Sequence, residues 1–151
     1  MPRLAATRRV LMAAGLTSCL TAPAEAHHSY GMFYDLCTSV PIAGQVERVQ
    51  WKNPHVLIEV RTDAGDAYIA EWTDVLKLTR DGVSADMLKP GDGIEVTGSP
   101  KRPLETIDPA YRYLVDPALK VVSALTQLRR IGDGWTWKRD PGPRPADCAT
   151  R

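Results

Sequence analysis

The chain has 151 residues, 44% of them hydrophobic and 25% charged. That length suits one ordinary domain rather than two, and the composition lies near globular averages, which excludes wholesale disorder. Lysine and arginine number 19 and aspartate and glutamate 18, a formal charge of +1. This excludes a dedicated nucleic-acid binder, which needs a basic excess to collect phosphates.

The first predicted element is a leader. Residues 1–9 carry Arg3, Arg8 and Arg9 and no acid, and residues 10–20 are mostly apolar. Pro23 then breaks any helix before the small-x-small sequence Ala24-Glu25-Ala26. This order predicts a signal peptide, residues 1–26, cleaved after Ala26. The apolar run is too short for a membrane anchor, which takes about 20 residues. Thr7-Arg8-Arg9-Val10-Leu11-Met12 is similar to a twin-arginine export motif, so export by either the Sec or the twin-arginine route is open. Leu16-Thr17-Ser18-Cys19 is similar to a lipobox, and lipoprotein anchoring at Cys19 is the competing expectation. The predicted location is periplasmic or secreted, with no transmembrane segment after cleavage.

Removal of the leader leaves residues 27–151 with two cysteines, Cys37 and Cys148. A pair in an oxidising compartment predicts a disulfide; the alternative is two free buried thiols.

The mature chain divides into short elements. Residues 40–51 alternate in part, but the phase slips between Val46 and Val49, which predicts a bulge in a long strand. Asn53-Pro54 ends it. Residues 55–61 and 67–72 read as two strands joined by a turn at 62–66, with Val56, Ile58 and Val60 on one face. Residues 74–80 read as a short helix capped by Thr73 or Asp74 and stopped by Gly82. Residues 84–88 read as a further helical turn. A tight turn at 89–92 leads to a fourth strand, 93–98, and a proline-rich loop follows. A final β region is predicted over 111–115 and 119–125, bent at Asp116-Pro117, and Trp135-Thr136-Trp137 follows a glycine turn. The proline-rich tail, 141–151, is predicted to be extended unless Cys148 pins it.

Three strands, a short helix and then two or more strands predict an all-β domain with a short helical insertion. The expected form is a small OB-like antiparallel Greek-key barrel over residues 27–140.

Several of these segments are shared with a known group. His27-His28-Ser29, the run from Gly44 to His55 ending in Trp51-Lys52-Asn53-Pro54-His55, Glu71-Trp72, and Leu88-Lys89-Pro90-Gly91-Asp92 resemble a family of small exported bacterial proteins known only as a domain of unknown function. The resemblance covers about residues 26–100. It implies an exported β-rich domain and brings no reaction, substrate or catalytic residue.

All three histidines fall within these motifs. Cleavage after Ala26 makes His27 the N-terminus, where its amine and ring nitrogen can chelate Cu(II) together, with His28 or His55 as a third ligand. Copper is therefore the candidate cofactor and His27, His28 and His55 the candidate metal ligands. The competing reading gives the histidines to turns and leaves no metal.

Trp51, Asn53, Trp72, Trp135 and Trp137 are the candidate surface for a ligand or a partner protein, by stacking or edge contact. Core packing is the alternative for the tryptophans. Arg129, Arg130, Lys138 and Arg139 read as a solvated basic face. The sequence has no nucleophile elbow, phosphate-binding glycine loop or metalloprotease helix, and no catalytic residue is assigned. The leading expectation is an exported periplasmic binding or accessory module that binds a small ligand or a periplasmic protein. A structural or protein-interaction domain is the alternative, and a small copper oxidoreductase is the third.

Overall fold

The computed structural model describes residues 30–143, 145, 146 and 148. The leader, Cys19, His27 and His28 lie outside the described residues. The elements are α1 (Tyr30–Phe33), β1 (Val40–Gln50), β2 (Leu57–Arg61), β3 (Ala67–Glu71), α2 (Val75–Arg80), β4 (Gly93–Pro100), β5 (Lys120–Arg130) and β6 (Thr136–Lys138).

β1 to β5 close into a barrel. β1 pairs with β2 and β4, β2 with β3, and β4 with β5, all antiparallel; the parallel pair β3–β5 completes the ring. The all-β barrel with one short helix between its third and fourth strands agrees with the expected fold class. Its sheet is mixed rather than purely antiparallel, because β3 and β5 are joined by a crossover through α2 and β4 and run the same way.

Two long strands turn the barrel's corners. The first half of β1 pairs with β4 and its second half with β2, and the two registers meet at Gln45. The predicted irregularity is present as a register shift between Val46 and Arg48. Next to the changeover, a Cβ on Gly44 would lie 2.2 Å from the Arg61 carbonyl oxygen, so only glycine lets the two backbones approach there. β5 bends in the same way. Residues 120–122 pair with β3, residues 122, 123 and 127–130 pair with β4 on either side of a register shift, and Ala124 within that shift has φ 47°.

The strands alternate as a half-buried sheet requires. Val56, Ile58 and Val60, Ile94 and Val96, and Val122, Leu125 and Leu128 all point inward and are buried. Leu78 of α2 closes one side of this core. Asp74 caps α2 by accepting from the Lys77 amide at 2.8 Å, and the Asn53 side chain accepts from the Val75 amide at 3.1 Å.

Two local expectations are corrected. Residues 111–114 do not extend; Pro109–Leu114 is a 3-10 helix, and only Val115 after it has extended backbone. Pro109 fixes φ at its start and Asp108 accepts from the Ala110 amide, which favours a turn over a strand. Residues 84–88 make one turn, closed by the Met87 amide on the Ser84 carbonyl, rather than a helical segment. Cys37 and Cys148 form the expected disulfide, which ties the tail to the start of the domain.

Candidate functional site

His55 lies between the cis peptide Asn53–Pro54 and β2. Val56 exchanges backbone hydrogen bonds with its neighbours across the sheet, accepting from the Trp72 amide and donating to the Thr73 carbonyl. Leu57 is paired with Glu71. This register brings the last residue of β3 beside His55, and the His55 Nδ1–Glu71 Oε1 pair closes across the strands.

α1 completes the cluster. The Tyr30 hydroxyl lies 2.8 Å from His55 Nε2, and the Tyr34 hydroxyl donates to Glu71 Oε2 at 2.6 Å. The Tyr30 ring packs against both Tyr34 and His55, with centroids 6.0 and 5.7 Å apart. Backbone bonds hold α1 in place: the Asp35 amide donates to the Pro100 carbonyl, the Arg102 amide to the Phe33 carbonyl, and the Arg102 guanidinium to the Gly31 carbonyl.

The proton positions follow from the partners. A carboxylate only accepts, so Glu71 places a hydrogen on His55 Nδ1; in the neutral ring Nε2 is then an acceptor for the Tyr30 hydroxyl. Burial first, and then the Glu71 charge, push the Tyr30 hydroxyl up to about 12. Burial, followed by its hydrogen bond to Glu71, pushes Tyr34 up further still. Both phenols therefore stay protonated and serve as donors. The His55 side chain keeps 34% of its exposure and Glu71 only 14%, so the imidazole lies at the edge of the network and the carboxylate inside it.

A carboxylate on one imidazole nitrogen is the usual support of a metal-binding histidine; the other nitrogen of His55 meets the Tyr30 hydroxyl. Among the described residues no three His, Cys, Asp or Glu side chains come together as a metal site. His27 and His28 lie outside the described residues.

The candidate ligand surface is not one face. Trp72 and Trp137 are buried in the core, edge to face with centroids 5.1 Å apart, and the Trp137 indole donates to Asp81 at 3.0 Å. Trp51 and Trp135 pack partly buried against the same core, and the Arg130 guanidinium lies over the Trp135 ring. Asn53 is a helix cap. In the basic group, Arg129 pairs with Glu95 and Arg130 with Asp133, and the Arg130 bond holds the Asp133 carboxyl down at about 2.

Sequence reasoning missed the pairing of Glu71 with His55. A signal was available: a hairpin folded about the turn at 62–66 puts residue 71 opposite 57 and so next to 55.

Residues 15–107 match the pattern of a family described as a family of unknown function, DUF6152. No curated protein matches the chain.

Proposed function

We propose, from the premise that the chain belongs to DUF6152, that it is an exported binding module that holds Cu(II) with the His27 amine and ring and with His55 Nε2. Export is supported by the leader pattern of residues 1–26 and by the Cys37–Cys148 disulfide, a bond typical of oxidising compartments.

The observation that carries the copper reading is the His55–Glu71 pair. Glu71 fixes the tautomer in which Nε2 has the lone pair and holds the ring in one orientation. Imidazole and amine nitrogens suit copper, which has the highest affinity among the divalent first-row metals. His27 is three residues from Tyr30, a chain reach of at most about 11 Å, and Tyr30 is in contact with His55. Tyr30 occupies Nε2 through its hydroxyl, so the metal takes the place of one hydrogen bond.

A second reading has its own observation. Both nitrogens of His55 are already bonded within the fold, so the Tyr30–His55–Glu71–Tyr34 set serves equally as a latch that holds α1 on the barrel. In that case the module meets a partner protein and needs no metal.

Electron paramagnetic resonance of the Cu(II)-loaded exported protein separates the two. The copper reading predicts a nitrogen-rich spectrum that changes in His55→Ala. An unchanged spectrum in a folded but less stable His55→Ala supports the latch and removes His55 from the ligand set.

A further inference from the structure

The loop between β4 and β5 borders a cleft of about 360 Å³, together with Phe33 and Tyr34. Phe33, Leu114, Val115, Leu119 and Val121 give it an apolar lining. Leu114 and Leu119 are left 48% and 44% exposed, so apolar surface is open to solvent at the mouth. That size and lining fall in the range of small-molecule sites, which add a few fixed polar groups to an apolar cavity.

One cation enters the lining. Lys101 Nζ donates to the Asp116 carbonyl at 2.7 Å and to the Leu119 carbonyl. An ammonium has three hydrogens, so one remains uncommitted, and among the described residues no carboxylate is paired with it. The polar neighbours are otherwise engaged. Asp116 accepts from the Ala118 amide at 2.8 Å, and the Tyr34 hydroxyl donates to Glu71. The cleft thus offers an apolar cavity with one cation, Lys101, whose position is fixed by two backbone carbonyls, and one carboxylate, Asp116, in the same lining.

We propose that this cleft binds a small amphipathic monoanion, a medium-chain carboxylate, with its tail among Phe33, Leu114 and Leu119 and its carboxylate on the free hydrogen of Lys101. The proposal uses none of the copper ligands, and tests in the presence of a chelator separate it from the copper reading. A neutral ligand of the same length leaves the Lys101 charge without a counterpart, and a dianion meets only one cation.

The full-length expression product, purified with its disulfide intact, is titrated with decanoate and, separately, with decanol, and amide shifts are followed by NMR. The expected result is saturable binding of decanoate, with shifts centred on residues 33, 101 and 114–121, and binding of decanol weaker by about tenfold, one charged hydrogen bond's worth. Lys101→Met is expected to bring decanoate down to the level of decanol. Because Lys101 also fastens the loop, the comparison of decanoate with decanol in the unmodified protein decides independently of that variant. Equal affinity for the two probes, no saturation by about 1 mM, or shifts centred on the separate cleft at Thr38 and Arg139 would each overturn the proposal.

Discussion

The Tyr30 hydroxyl and His55 Nε2, 25 positions apart in sequence, lie 2.8 Å apart at the edge of the barrel. That contact joins the start of the domain to His55, the one histidine among the described residues. It also places Glu71 and Tyr34 behind that imidazole as a supporting pair, and the first prediction tests this support. Tyr34→Phe removes the donor to Glu71 Oε2 while keeping the ring. It is expected to destabilise the fold by about 1.5–3 kcal/mol, the range for a hydrogen bond to a charged group. Urea unfolding of the variant checks this, and an unchanged midpoint would show that the bond contributes nothing.

How much of this was legible follows from the kind of interaction involved. The inward positions Val56, Ile58 and Val60 were readable because alternation is local, and the slip after Val46 marked the corner of β1. The Cys37–Cys148 bond was readable from the pair of cysteines that the expected cleavage after Ala26 would leave. The pairing of His55 with Glu71 was not, because it depends on hairpin register and Glu71 is one carboxylate among many. Nor was the 3-10 helix at 109–114, where Pro109 and the Asp108 cap prevail over the β preference of Tyr111 and Tyr113. The tryptophans read ambiguously because the same residue type serves a stacking surface and a core; burial assigns Trp72 and Trp137 to the core.

The second prediction concerns alkaline pH. The folded state raises the Tyr30 hydroxyl from 10.0 to about 12, so between those values the folded chain keeps a proton that the unfolded chain has lost. Stability is therefore fully present below pH 10 and declines as pH rises toward 12. Phenolate absorbance of the native protein, compared with Tyr30→Phe, should show Tyr30 ionising well above its ordinary value of 10.0. Ionisation of Tyr30 at 10.0 would contradict the buried network.

The disulfide is the third. It closes a loop of 111 positions, which the chain-entropy treatment values at about 5 kcal/mol. Reduction, or the paired change Cys37→Ser with Cys148→Ser, should lower the urea midpoint strongly. The intact mass of the exported protein should show both sulfurs oxidised and residue 27 at the N-terminus.

Glycine substitutions give the fourth. A Cβ at Gly44 meets backbone at 2.2 Å, whereas at Gly65 it meets nothing within 4 Å and the cost is only that of φ +86°. Gly44→Ala should therefore destabilise by about 3 kcal/mol or more, and Gly65→Ala by about 1–2 kcal/mol. Thermal melts of the two variants test the order, and the reverse order would remove the close approach of β1 and β2 at Arg61.

The central claim is that His27 and His55 hold copper together. Its most direct measurement is a Cu(II) titration of the exported protein, with the N-terminus verified by mass, alongside His27→Ala, His55→Ala and Tyr30→Phe. The account predicts a dissociation constant tighter than about 1 μM, a loss of at least about tenfold in each histidine variant, and tighter binding in Tyr30→Phe, where no hydroxyl competes for Nε2. Binding weaker than about 1 μM, or equal binding after His27→Ala, would contradict it.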